Sequence, residues 1–249
     1  MSAVDVNLSD GIGSVSFATE KKNSLPAAVL ARLAEAITEL GADPAVRVVV
    51  LRSGGDGPFC AGASFDELLA VDNRERGSEF FRGFARVILA IRACPKFVIA
   101  RVQGATIGGG VGLVAACDYA LASDQARIRL SELALGIGPF VIGPAVERRI
   151  GPSAYGQLAI GADWRDATWA QAHGLYAAIH SRLTELDQAV ADLARKLAGY
   201  SPEAMARLKA VLWEGTEQWP ELLENRARIS GELVVSAPAT VAITAAKRS

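Results

Sequence analysis

Two near-continuous apolar runs, each opening into a glycine-rich loop, constrain this chain more than any other feature. Residues 46–51 read Val-Arg-Val-Val-Val-Leu and residues 97–102 read Phe-Val-Ile-Ala-Arg-Val. Strands apolar on both faces belong inside parallel sheets, where crossover helices cover each side. The first run leads to Gly57-Pro-Phe-Cys-Ala-Gly62-Ala-Ser-Phe65, the second to Gly104-Ala-Thr-Ile-Gly108-Gly-Gly110-Val-Gly112. Glycine lets main chain approach a ligand closely and adopt dihedrals that other residues avoid. Each loop is expected to run into a helix, whose N-terminus presents unpaired N–H groups. Two such ends facing one point would hold a developing oxyanion, the largest single lever in acyl and enolate chemistry. Turns and tight packing use glycine too, and for either loop alone the two readings weigh equally. The recurrence after two buried strands favours a site.

Around these runs strands and helices alternate. Short strand-like runs lie near residues 4–8 and 14–18. Residues 27–40 place Val29, Leu30, Leu33, Ile37 and Leu40 at helical spacing, closed by Gly41 and Pro44. Helical stretches lead to Ala93, and residues 119–122 and 126–130 read as further strands. Beyond Val141 the pattern is almost wholly helical, with helices over 182–197, 202–213 and 221–235. Pro202 after Ser201 suits a first helical position. The expectation is an α/β fold with a core over residues 1–195 and a helical C-terminal region over 196–249.

Composition narrows the function. The 249 residues carry 26 Lys and Arg against 27 Asp and Glu, and the basic residues are scattered. A nucleic-acid or membrane-surface binder would concentrate them on one face. Three separated cysteines and two histidines indicate neither a disulfide framework nor a metal cluster. No signal-peptide pattern opens the chain, and the longest uncharged run, residues 102–117, is broken by five glycines. A reducing, cytoplasmic setting is expected. One rival motif is present: Gly110-Val-Gly112-Leu-Val-Ala115 matches a dinucleotide fingerprint, with Glu132 about 20 residues on. That fingerprint needs its first glycine where the strand ends, and the strand here is expected to end near Val102.

Taken together, these segments resemble the enoyl-CoA hydratase/isomerase (crotonase) family. The likeness rests on Phe59-Cys-Ala-Gly-Ala63 after the first strand, Gly108-Gly-Gly110 and Ala116-Cys-Asp118 after the second, and Ser131-Glu132-Leu-Ala-Leu-Gly136 further on. Gly151, Gly161, Ala170, Gly174-Leu175 and Ser201-Pro202 ahead of Lys209 extend it. The resemblance implies a spiral of ββα turns and a helical C-terminal region that builds homotrimers or hexamers. It places the oxyanion hole at the N–H groups of Ala63 and Gly109. Coenzyme A, part of the acyl-CoA substrate and not a cofactor, would thread past Lys22, Asn23, Ser24, Leu25 and Ala61. Phe65, Leu68, Phe84 and Phe140 are candidates for the acyl pocket, with core packing an equal alternative for each. No metal is implied.

The resemblance also exposes a departure. Family hydratases carry a glutamate where this chain has Gly112, leaving Glu132 as the remaining family acid. One positioned carboxylate can still shuttle a proton between carbons once the enolate is stabilised. Enoyl-CoA isomerisation is therefore the leading expectation. A hydratase with a substitute acid, a hydrolase or decarboxylase, and a non-catalytic or RNA-binding member are the alternatives. Glu132 lies in an apolar stretch, residues 128–141, where desolvation would raise its pKa. Asp66 and Glu67 are expected on an outer helix face, Asp118 at a structural strand start, and Glu147 in a surface pair with Arg148 or Arg149. His173 and His180 are expected to be structural or exposed.

Overall fold

The computed structural model describes residues 3–248; Met1, Ser2 and Ser249, at the ends of the two expected parts, lie outside the described residues. β1 (Val4–Ser9) and β2 (Ile12–Phe17) form an antiparallel hairpin. Its turn is Asp10-Gly11, both at positive φ, as a two-residue turn matched to strand twist requires. α1 (Ala27–Ala42) crosses to β3 (Val48–Ser53), which lies parallel to β2. Then come α2 (Phe65–Ala70), α3 (Arg74–Ala93) and β4 (Phe97–Val102). β5 (Thr106–Ile107), α4 (Gly109–Ala116), β6 (Tyr119–Ser123) and β7 (Ile128–Arg129) follow. A 3-10 turn, Leu133–Leu135, leads to α5 (Gly143–Gly161), α6 (Ala167–Ala172) and β8 (Ala178–His180). Four helices close the chain: α7 (Leu183–Ala198), α8 (Pro202–Leu212), α9 (Trp219–Val234) and α10 (Ala237–Arg248).

The main sheet has the order β1-β2-β3-β4-β6-β8, parallel except for the hairpin. Both faces are covered, which is why its central strands carry no polar alternation. Val48, Val50, Ile99 and Leu121 pack against Leu186, Val190 and Ala194 of α7. Val49, Leu51, Val98 and Ala100 face the larger core shared with α1 and α3. After each of β3, β4 and β6 the chain makes a second, shorter pairing before its helix. Those pairings join Cys60 to Thr106 and β5 to β7, so each turn of the fold reads strand, short strand, helix.

The C-terminal helices wrap this body. α9 lies along α3 so closely that a Cβ on Gly231 would sit 2.3 Å from the Ser78 amide nitrogen. Arg82 of α3 binds Glu224 of α9 with two parallel hydrogen bonds, Nε–Oε2 at 2.9 Å and Nη2–Oε1 at 2.8 Å. α10 returns over α2 and the 3-10 turn, where Gly136, at φ 73°, rests on Ala239. α8 is pinned by a buried ion pair. Lys209 Nζ donates to Asp118 Oδ2 at 2.7 Å and to the carbonyls of Ile91 and Lys96. Asp118 also accepts from Val98 N and Trp213 Nε1, so it does hold structure at the start of β6.

Several expected boundaries shift. The first apolar strand begins at Val48, not Val46, because Val46 is a core plug packed under Gly13 before the ladder starts. β8 interrupts the region expected to be helical; it is a three-residue edge strand with no alternating pattern. α10 extends the helical part beyond residue 235. Position 195 falls inside α7, which belongs to the sheet's own covering layer.

Candidate active site

The four loops that follow β2, β3, β4 and β6 are stitched side by side by main-chain hydrogen bonds. Leu25 N donates to Gly62 O at 2.8 Å, and Ser64 N donates to Leu25 O at 3.2 Å. Cys60 N donates to Ala105 O at 3.3 Å, and Ile107 N donates to Cys60 O at 2.9 Å. Thr106 N and Gly108 N donate to Arg127 O and Arg129 O at 2.9 and 2.8 Å. In the parallel bridge between Leu25 and Ala63, Gly62 and Ser64 make the bonds, so the N–H of Ala63 points the other way. Gly109 is the first residue of α4, whose N–H has no intrahelical acceptor. Neither N–H meets a protein acceptor among the described residues.

Gly108 bends the chain into α4 with φ 52° and ψ −120°, and a Cβ there would lie 2.7 Å from Glu132 Oε1. A side chain at this point would therefore be strained and would also push the carboxylate away. Gly109 is covered by the Phe84 ring, 2.1 Å from where a Cβ would stand. Ala63, Gly109 and Glu132 all line one cavity of about 50 Å³, with Phe65, Leu68, Phe81, Phe84, Leu135, Ile137, Val141 and Ile142 around them.

Glu132 sits just before the 3-10 turn. The residue as a whole is partly exposed, but Oε2 is sealed from solvent without a hydrogen-bond partner. Burial pushes its pKa up to about 7, and the nearby N–H groups of Glu132 and Ser131 pull it back only in part. Among the described residues no cation lines the cavity beside it. At Gly112 the space for a side chain is taken. An added Cβ would lie 2.4 Å from Ile142 Cγ2, so an apolar side chain fills the volume an acid at 112 would enter.

The other expected residues separate into groups. Lys22, Ser24 and Ala61 line a second cavity of about 420 Å³, which shares Ala61, Ala63 and Phe65 with the first. Asp66 stands in it, paired with Lys21 and, at 2.7 Å, with Lys247 of α10; the two ammonium groups hold its pKa down at about 2. Asn23 and Leu25 do not line it. Asn23 Nδ2 donates to Gly54 O and Pro58 O, and Leu25 is buried in the loop ladder, so both shape the loops from behind. Phe65, Leu68 and Phe84 line the 50 Å³ cavity, whereas Phe140 does not; its ring packs on Gly138. Phe81, Leu135, Ile137, Val141 and Ile142 also line it, and nothing in their spacing marks them out. Glu67 caps α1 by accepting from Ala27 N at 2.7 Å. Glu147 is exposed, but Arg149 turns inward and donates to the carbonyls of Ala115, Cys117 and Asp118. His173 stacks on Trp169, and neither histidine reaches the cavity. Gly110, Gly112 and Ala115 lie inside α4, not where β4 ends, so the dinucleotide reading fails on geometry.

Comparison with known proteins agrees with this arrangement. A family model described as enoyl-CoA hydratase/isomerase matches residues 7–237. The mitochondrial methylglutaconyl-CoA hydratase of Homo sapiens is 34% identical over 200 residues, 79% of this chain and 59% of that protein. The chain thus spans less than two thirds of that relative. The peroxisomal Delta(3,5)-Delta(2,4)-dienoyl-CoA isomerase of Arabidopsis thaliana is 33% identical over 199 residues, 74% of this chain and 70% of that one. Among solved structures, an enoyl-CoA hydratase from Mycobacterium avium subsp. paratuberculosis K-10 matches with a TM-score of 0.88 and 27% identity over 98% of both chains. With the match running nearly end to end and the strand, short strand, helix turns in place, the chain belongs to the enoyl-CoA hydratase/isomerase (crotonase) family.

Proposed function

We propose that this protein is an enoyl-CoA isomerase that moves a double bond by one-carboxylate proton transfer. The observation that carries the reading is the pairing of Gly112 with Ile142, which leaves Glu132 as the one ionisable side chain among the described cavity-lining residues. The thioester carbonyl oxygen would accept from Ala63 N–H and Gly109 N–H. Glu132, ionised, takes a proton from C2 of a 3-enoyl thioester. The C–H electron pair enters the conjugated system, and negative charge gathers on the thioester oxygen, where the two N–H groups stabilise it. The Glu132 carboxyl then returns the proton at C4, and the double bond closes between C2 and C3. One proton leaves, one arrives and the oxidation state is unchanged, so the only non-protein group invoked is the coenzyme A of the substrate. A pKa of about 7 suits a group that must both accept and give back a proton near neutrality.

Relatives named as hydratases favour a second reading, water addition with a substitute acid. The cavity supports it less, since no second carboxylate lines it among the described residues. The test is incubation of 2-enoyl-, 3-enoyl- and 3-hydroxyacyl-CoA in deuterated water with mass-spectrometric readout. Interconversion of the two enoyl thioesters without water addition is expected. Rapid formation or loss of the 3-hydroxyacyl thioester would overturn the isomerase reading.

A further inference from the structure

We infer that the cavity selects short, uncharged acyl chains, with Phe84 as the wall that sets the length. The inference rests on reading the cavity as the place where a thioester's acyl group lies, and not on which reaction follows.

Size is the first argument. The cavity holds about 50 Å³. One water-sized group needs roughly 10–15 Å³, so there is room for about three to five heavy atoms, the carbonyl carbon and oxygen among them, an acyl group of about two to four carbons. The second argument is that the Phe84 wall cannot easily retreat. The Phe84 ring is trapped between Gly109, where even a Cβ would collide with it, and Phe80, with ring centroids 6.0 Å apart. Phe81 stands beside it on the same helix, in edge contact with Phe80. That helix, α3, is held by the close Gly231–Ser78 crossing and by the Arg82–Glu224 pair. Lengthening the pocket therefore means moving a helix, not a rotamer. The third argument is charge. Among the described residues no Arg, Lys or His lines the cavity. A chain ending in a second carboxylate would be desolvated without a partner, and a buried unpaired charge is strongly disfavoured.

Saturated thioesters test this without depending on turnover. Affinities of the intact protein for acetyl-, butyryl-, hexanoyl-, octanoyl- and decanoyl-CoA are measured by calorimetry, with glutaryl-CoA set against valeryl-CoA. Affinity is expected to rise to butyryl and to fall at least tenfold by decanoyl. Glutaryl-CoA should bind at least tenfold more weakly than valeryl-CoA. Phe84→Ala should move the optimum to octanoyl or beyond, and Leu68→Ala gives the same comparison should the first variant not fold. Affinity that climbs steadily through decanoyl, or equal binding of glutaryl- and valeryl-CoA, overturns the inference while leaving the thioester site standing. Failure of every thioester to bind overturns both.

Discussion

Glu132 has a buried oxygen without a hydrogen-bond partner, and it shares a cavity with Ala63 and Gly109, whose N–H groups meet no protein acceptor among the described residues. Glu132→Gln keeps the shape but cannot accept a proton. Turnover should fall at least about 100-fold, the usual scale of general-base loss, while acyl-CoA affinity stays within a few fold. Kinetics paired with calorimetry separate the two. In the native chain kcat/KM should rise with pH through about 7, as the carboxyl ionises. Stability should move the other way. The folded pKa, about 7, lies above the ordinary 4.5, so the fold binds this proton more tightly than the unfolded chain does. The stabilisation is full below about pH 4.5 and is lost as pH rises through about 7, on the order of 3 kcal/mol. Urea titrations at pH 5 and pH 8 should therefore show Glu132→Gln gaining on the native chain at the higher pH only. Gly112→Glu should not produce a hydratase. Its side chain meets Ile142 at once, and overpacking of this kind costs about 1–3 kcal/mol. The double variant with Ile142→Ala makes room, and water addition by the double but not the single would show that volume was the obstacle. Glu132, Ala63 and Gly109 could be proposed from sequence because each stands in a local motif. Ile142 could not, since it meets Gly112 only after the chain has passed through β6, β7 and the 3-10 turn, and no spacing signals it.

Among the elements, the α3–α9 crossing is the one whose failure should reach the site. Gly77 and Gly231 meet with no room for a methyl group. Gly231→Ala should cost about 1–3 kcal/mol in urea denaturation and should weaken short-chain acyl-CoA binding as the helix bearing Phe81 and Phe84 is pushed. Unchanged binding alongside lost stability would disconnect the crossing from the cavity. The elements that could be read in advance are those with both faces buried or one strong apolar stripe: β3, β4, α1, α7 and α9. Those that could not be read are short or draw their order from neighbours. β8 is three half-buried residues paired to β6, and α10 is an alanine-rich helix ordered by its contacts with α2 and the 3-10 turn.

For the molecule as a whole, the expectation that the late helices bury against other subunits needs division. α9 and α10 spend much of their apolar surface on their own chain. α8 does not, and Leu208, Val211 and Leu212 stand 52, 58 and 50% exposed along it. A homotrimer or a pair of trimers is expected to cover that row, and light scattering at micromolar concentration checks it. A stable monomer would count against the assembly, and Leu208→Glu with Val211→Glu should produce one if this row is the contact. The stitched loops carry a different consequence. Their bonds run between peptide groups, and the N–H groups of Ala63 and Gly109, residues that line the cavity, belong to peptide groups too. Substitution alters side chains and leaves peptide groups in place. On the proposed reading, the donors of Ala63 and Gly109 survive any exchange of the acids around them, so the reaction can change while the ligand stays the same.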